Sequence, residues 1–327
     1  MPPTPAPRSP ARPATTRLAP SPTGALHLGN ARTFVVNWAL ARRRGWRVLL
    51  RVEDLDTPRT KEGAADQAIE DLRWLGLDWD EGPSFQAPLL GPGGPYAAAL
   101  SRLRAAGHTY PCPATRRDLE AASAPNEGDP PEPRYPNLWR PPAPPPPAGV
   151  PLAERLIVPA GDVRFRDEVA GPQAFNVHAT VGDFVLRTKA GLPGYQLAVV
   201  VDDARQGVTH VVRGDDLLPS TARQVLLYER LSLGPPPAYL HLPLVRGADG
   251  RRLAKRHGDT RVASYREAGV PPGRVLALLA RWSGVPAGVA GDLLTAGAFA
   301  DAFDLARLPP GDITFTEEDH AWLTARP

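Results

Sequence analysis

The sequence predicts an α/β fold in which a doubly wound parallel sheet carries an inserted smaller α+β domain and a short helical C-terminal region. Three observations lead there. Strand-like and helix-like segments alternate from Thr15 to Leu75, as they do where parallel strands are joined by crossover helices. From about Pro83 to Gly194 the alternation breaks down. It returns from Gln196 to Leu231, and helix-like spacing alone follows beyond Lys255.

Taken in order, Met1 to Ala14 is rich in Pro, Ala and Arg and has no hydrophobic signal core, so residues 1–14 are expected to be a disordered extension. Thr15 to Ala19 reads as the first strand and Ala31 to Arg44 as the helix after it. Trp46 to Val52 is an apolar, β-branched strand that ends at Glu53-Asp54-Leu55-Asp56, and Thr60 to Leu75 has helical spacing. The first half of the sheet domain is thus placed at 15–96. Residues 97–194 are expected to be the insertion, and the Pro-rich stretch 125–151 within it cannot be regular structure. The second half, 195–260, holds a strand at Val208 to Arg213, a helix at Asp216 to Leu231 and an apolar strand at His241 to Val245. Val262 to Arg266 and Pro272 to Trp282 read as helices within a C-terminal region, 261–327.

Composition narrows the function classes. The 327 residues are 42% hydrophobic, enough for a large core, and contain no apolar run long enough to span a bilayer. A single cysteine, Cys112, rules out an intramolecular disulfide and suits a reducing cytoplasm. The net charge of +3 permits a nucleic-acid partner without demanding one. Of 38 basic residues only Lys61, Lys189 and Lys255 are lysines, so a lysine at a particular position is informative.

The chemistry is concentrated in two islands. In the first, Arg17-Leu18-Ala19-Pro20-Ser21-Pro22-Thr23-Gly24 leads from a strand through a tight turn to His27-Leu28-Gly29-Asn30, which opens a helix. Strand, turn and helix start together present backbone N–H groups and a positive dipole end to a phosphate. The imidazole of His27 stands where charge would grow on an attacked α-phosphate. The second island, Gly250-Arg251-Arg252-Leu253-Ala254-Lys255-Arg256-His257-Gly258, is a basic, glycine-bounded loop after an apolar strand. An ammonium on such a loop can follow the β- and γ-phosphates as pyrophosphate leaves.

The first island resembles the HIGH signature of class I aminoacyl-tRNA synthetases in its glutamate branch, through Arg17, Ala19, Pro20, Ser21, Pro22, Thr23, Gly24, His27 and Gly29. The second is similar to the KMSKS loop, with Arg252 and Lys255 at its two lysine positions and Ala254 in place of the usual serine. The stretches Gly194 to Asp203 and Thr209 to Leu217 resemble the glutamyl branch as well. The resemblance implies a Rossmann-type sheet and an ATP-dependent ligase. It assigns catalysis to His27, Asn30 and Lys255, and ATP contacts to Pro20, Thr23, Gly24, His27, Gly29, Asn30, Arg252, Leu253 and Lys255. Glutamate contacts fall to Arg17, Leu18, Ala19, Pro20, Ser21, Glu53, Tyr195 and Arg213. The residue types suit those roles: Glu53 can pair with the substrate ammonium, and Arg17 and Arg213 can each grip a carboxylate with a bidentate fork. Tyr195 offers a hydroxyl. The alternative for Arg213 is an internal ion pair with Asp215 or Asp216.

Only about seventy residues follow the lysine loop, too few for a large anticodon-reading domain. The resemblance is therefore closest to the glutamyl-queuosine tRNA(Asp) synthetases, a family that makes glutamyl adenylate without tRNA and then esterifies the queuosine base at the wobble position of tRNA(Asp). The implied partners are L-glutamate, ATP with Mg²⁺ and queuosine-containing tRNA(Asp), with no membrane; a cytoplasmic monomer is expected. Family members commonly hold zinc in the insertion through Cys-x-Cys, a tyrosine and a later cysteine. Here Cys112 and Tyr135 remain, while Ala114 and Trp139 stand at the other two positions. Zinc is accordingly expected to be absent, and His108 to be structural. Two other readings compete: a short glutamyl-tRNA synthetase that charges the 3′ end of tRNA(Glu), and a synthetase-like binding module without catalysis. A smaller nucleotidyltransferase sharing the His-x-Gly element would give no reason for Glu53, Tyr195 and Arg213 together.

Overall fold

The computed structural model describes residues 13–22, 24–55, 61–114, 134–251, 253 and 260–325. Two sets of parallel strands form its centre. In the first, β1 (Thr15–Leu18), β2 (Arg47–Val52) and β3 (Glu81–Phe85) lie side by side. β1 and β2 are joined by helix α1 (Leu28–Arg44), and β2 and β3 by α2 (Ala64–Trp74). In the second, β9 (His210–Gly214) pairs in parallel with β10 (Ala238–Leu242). The two sets abut at β1 and β9, where Thr209 N donates to Thr15 O at 2.8 Å. Strand order turns outward in both directions from that seam, so the crevice beyond the carboxyl ends of β1 and β9 is the switch point at which such sheets bind ligands.

Helix α1 forms where the expected helix lay but begins three residues earlier, at Leu28, because His27 caps it. Gly45 closes it in a left-handed conformation, and Arg42, Arg43 and Arg44 in its last turn complement the helix dipole. Its buried face packs on Leu18, Val48 and Leu50 of the sheet, and on Phe299 and Phe303 of the C-terminal region. That region includes an amphipathic helix, Pro272–Trp282, and a short strand, Ile313–Thr314, which pairs with Val245–Arg246. The apolar run expected as one strand from His241 to Val245 is instead split at Pro243 into β10 and this two-residue piece. Proline cannot donate to a ladder, which accounts for the break.

The stretch expected to be irregular, 83–194, holds more order than its composition suggests. Helix α3 (Pro95–Ala105) is followed by β4 (Thr109–Cys112), β5 (Ala153–Leu156) and β8 (Val185–Arg187), which form an antiparallel sheet. Between them the β6–β7 hairpin (Val163–Asp167 and Gly171–Phe175) extends the second parallel set by pairing β6 with β10. This part of the predicted insertion therefore builds the sheet that carries the site. The predicted extension, residues 1–14, and the Pro-rich stretch, 125–151, lie partly outside the described residues.

Candidate active site

A cleft of about 450 Å³ opens at the β1–β9 seam. It brings together Arg17, Ala19, Pro20, Ser21, Gly24, His27, Gly29, Asn30, Glu53, Tyr195 and Arg213. Its size is that of a small-molecule site. Two predicted residues lie elsewhere: the side chains of Leu18 and Leu253 are in the hydrophobic core, 0% and 4% exposed. Thr23, Arg252, Lys255 and the substituted Ala254 lie outside the described residues.

His27 takes its position from the helix it starts. Its backbone is extended, with φ −99° and ψ 165°, and its Nδ1 accepts a hydrogen bond from Asn30 N at 3.3 Å. A neutral imidazole that accepts at Nδ1 carries its proton on Nε2, as a donor to a phosphate oxygen must. Gly29 suits the same geometry: a Cβ there would stand 3.2 Å from the His27 ring, tight enough to push the ring aside by a few tenths of an ångström. The His-x-Gly spacing thus leaves room for the ring over the first helical turn.

At the far end of the cleft, charges are arranged around Arg17. Its Nε lies 3.5 Å from Asp203 Oδ1, and the same oxygen is 2.8 Å from Arg51, which in turn lies 3.2 Å from Glu53. Burial raises the pKa of Glu53, and Arg51 and Arg17 oppose the rise. Burial also works against the Arg51 cation, but Asp203, Glu53 and Asp202 hold it above its usual value. Glu53 N donates to Pro20 O at 3.0 Å, which ties the carboxylate-bearing loop to the Ala19–Ser21 segment.

Arg213 leaves the end of β9 and is 5% exposed. Its Nε donates to His241 Nε2 at 3.0 Å, and its Nη2 to Thr221 Oγ1 at 2.8 Å and Gln224 Oε1 at 2.9 Å. Its Nη1 is buried without a hydrogen-bond partner among the described residues. Leaving a buried charged donor unmade is costly, so this atom asks for an anionic ligand. Tyr195, the first residue of helix α4 (Tyr195–Gln206), is 43% exposed into the cleft. Gly194 before it is obligatory, because a Cβ there would meet Val185 O at 2.5 Å.

Sequence reasoning missed Asp203, Arg51 and the partners of Arg213. The first had a visible signal, two consecutive acids directly after an apolar helix run, Leu197 to Val201. In the insertion, Cys112, Tyr110, Ala114 and Tyr135 form a small core with Trp139 packed against it. Cys112 Sγ lies 3.3 Å from Tyr135 Oη and accepts from Arg155 Nε at 3.3 Å, while the Arg155 guanidinium lies 3.8 Å from the Tyr135 ring centroid. A cation already faces the thiol, and Ala114 contributes no ligand atom, so these residues do not suit a zinc ion. Among the described residues, no group of three or more His, Cys, Asp and Glu could hold a metal.

Residues 13–320 match the catalytic domain of class I tRNA synthetases of the E and Q type. The chain belongs to this family. It is 49% identical to a glutamyl-Q tRNA(Asp) synthetase from Rhodopirellula baltica over 82% of this chain and 84% of that protein. It is 37% identical to a glutamate–tRNA ligase from Azoarcus sp. over 96% of this chain and 67% of that protein. A crystal structure of a glutamate tRNA ligase from Elizabethkingia meningosepticum superposes with a TM-score of 0.79 at 27% identity, covering 95% of this chain and 69% of that one. Class I synthetases are ATP-dependent ligases and usually use Mg²⁺. Among the described residues, no helix of this synthetase is long and apolar enough to cross a membrane.

Proposed function

We propose that the protein condenses glutamate with ATP, without tRNA, and passes the glutamyl group to the queuosine base at the wobble position of tRNA(Asp). The observation that carries the first step is the convergence of His27 with Glu53, Arg17 and Arg213 in one cleft. Glu53 pairs with the substrate ammonium. Arg17 and the unpartnered Nη1 of Arg213 take the two carboxylates, and the Tyr195 hydroxyl adds a donor. The nucleotide lies along the Gly24–Asn30 segment, with its phosphates at the N-terminus of α1.

In this pose a glutamate carboxylate oxygen attacks the α-phosphorus in line. The bond to the β-phosphate bridging oxygen breaks, and pyrophosphate leaves with the Mg²⁺ that entered with ATP. His27 Nε2–H stabilises the charge on the α-phosphate, and Lys255 follows the departing group. A hydroxyl of the cyclopentene ring then attacks the mixed anhydride and expels AMP. No covalent enzyme intermediate is required. A second chamber of about 440 Å³ shares Ser21, Glu53 and Tyr195 with the first and adds Gln86, Thr188 and Leu192, so the acceptor has its own approach to the activated carboxylate.

The choice of acceptor is supported by the higher identity to the glutamyl-Q relative than to the ligase, 49% against 37%. We further read the protein as a cytoplasmic monomer without structural zinc, its insertion held by the Arg155–Cys112–Tyr135 contacts instead. The test is to follow labelled glutamate onto queuosine-containing tRNA(Asp) and onto tRNA(Glu), and to locate the label by nuclease digestion. Label on the wobble nucleoside of tRNA(Asp) is expected. Label on the 3′ end of tRNA(Glu) would make the protein a short glutamyl-tRNA synthetase, and no transfer or activation at all would make it a binding module.

A further inference from the structure

Behind Arg213, a buried carboxylate and an imidazole come from two distant segments. Asp167 closes β6 of the hairpin, and His241 lies on β10; each is 1% exposed. His241 Nδ1 lies 2.6 Å from Asp167 Oδ2, and His241 Nε2 faces Arg213 Nε at 3.0 Å. An arginine Nε can only donate, so His241 Nε2 must be the acceptor and Nδ1 must carry the proton. Burial lowers the pKa of His241 against the pull of Asp167, in keeping with a neutral ring. We propose that Asp167 and His241 are positioning residues for substrate recognition: Asp167 selects the Nδ1–H tautomer of His241, and that tautomer orients the Arg213 guanidinium so that Nη1 faces the substrate carboxylate. The inference rests on the reading of Arg213 as a glutamate ligand.

The surroundings of Asp167 make this selection sharp. Its Oδ1 accepts from three backbone donors, Ala170 N at 2.7 Å, Val169 N at 2.9 Å and His241 N at 3.2 Å. In an Asp167→Asn variant the amide oxygen must stay at that position, because the alternative sets an NH₂ against three N–H groups. The amide nitrogen then occupies the Oδ2 position and donates to His241 Nδ1. The ring proton moves to Nε2, where it meets Arg213 Nε–H donor to donor. Thr221 Oγ1, 3.2 Å from the same Nε2, already accepts from Arg213 Nη2, so the displaced proton competes for the second anchor of the guanidinium too. Wrong-tautomer loss of this kind, from a buried Asp→Asn change beside a histidine, has a large effect in serine proteases, where the imidazole itself is the base. Here the ring acts one step back, so the loss falls on glutamate binding.

Glutamate-dependent ATP–pyrophosphate exchange tests the inference, with KM for glutamate and for ATP measured separately and folding checked by thermal unfolding. Asp167→Asn is expected to raise the glutamate KM about tenfold, the size of one lost charged hydrogen bond, with the ATP KM unchanged. His241→Gln keeps an acceptor near the Nε2 position and is expected to cost only about threefold, whereas His241→Leu, which has none, costs at least as much as Asp167→Asn. A glutamine has no tautomers, so adding Asp167→Asn to His241→Gln should cost much less than Asp167→Asn alone. Equal penalties in the two backgrounds, an unchanged glutamate KM in Asp167→Asn, or losses shared equally by the ATP KM would overturn the inference. Should Asp167→Asn fail to fold, the comparison of His241→Gln with His241→Leu decides, and equal glutamate KM values overturn it. Arg213→Ala separates the two levels: if it leaves the glutamate KM unchanged the ligand reading itself fails, and if it alone raises the KM only the positioning role fails.

Discussion

The backbone N–H of Leu28 donates to Thr260 O at 3.0 Å, and Val262 N returns a bond to Leu26 O at 2.8 Å. These two bonds pin the exit of the basic loop to the residues on either side of His27. Two sequence islands more than two hundred residues apart are thereby joined at the mouth of the cleft, with Leu253 anchored in the core just inside the loop. Lys255 itself lies outside the described residues, but the chain that carries it is tethered on both sides.

Because His27 both caps α1 and faces the cleft, the two roles can be separated. His27→Asn keeps an N-cap acceptor for Asn30 N, so stability should change by less than about 1 kcal/mol. Its amide is too short to replace Nε2–H, and kcat for pyrophosphate exchange should fall about 10²-fold, with little change in the glutamate KM. Lys255→Ala should behave in the same way, without loss of stability. A fall confined to KM in either variant contradicts the assignment to the transition state.

Charge around the amino-acid pocket predicts its selectivity. Arg51 is held by Asp203 and Glu53 and Arg17 stands near Asp203, whereas the hydrogen-bond partners of Arg213 are neutral, so Arg213 is the cation left for the side-chain carboxylate while Arg17 serves the other. Glutamate brings one more negative charge than glutamine and satisfies it. Glutamine leaves the guanidinium charge unpaired and turns an NH₂ donor towards it, so its kcat/KM for activation should be about 10⁴-fold lower without any editing step. Competition assays with the two amino acids check this, and comparable activation of both would remove the carboxylate-pairing account.

Stability should respond to Asp71. Burial raises its pKa from 3.8 to about 6, against its hydrogen bond to Gln67 and the charge of Arg266. A carboxyl whose folded pKa is raised contributes stability below its unfolded pKa, and that contribution is lost as pH rises through the folded value, here between 3.8 and about 6. Asp71→Asn should therefore stabilise the protein above about pH 6, by at most about 3 kcal/mol, and make little difference near about pH 4. Arg266 keeps Glu70 at 3.1 Å as its partner. Urea unfolding at the two pH values measures the difference; a stabilisation that does not grow with pH contradicts it.

The Cys112 cluster gives a prediction about metal. Protein purified after chelation and analysed for zinc should contain well under one equivalent, and added zinc should leave the thermal midpoint unchanged. One tightly held zinc per chain would contradict the reading of Arg155 as the group that faces the thiol.

Much of the site was legible because its residues are close in sequence to structural punctuation. Arg17 and Arg213 end strands, Glu53 follows one, and His27 opens a helix, and each can be placed from apolar runs and turn residues alone. Asp167, by contrast, meets His241 across 74 residues through a hairpin that is hard to see. In β6, Val163 and Phe165 alternate with exposed Arg164 and Arg166 over only five residues, between glycine and proline neighbours. So short a period-2 signal does not rise above its surroundings. Leu18 and Leu253 could be assigned to the site by position in a motif, but their side chains follow hydrophobicity into the core.

The most direct test of the whole account is glutamate-dependent ATP–pyrophosphate exchange in the complete absence of RNA. Rapid exchange with glutamate and Mg·ATP alone, reduced about 10²-fold in the Lys255→Ala variant, is the predicted result. Folded protein that exchanges nothing until tRNA is added, or exchanges nothing under any condition, would contradict it.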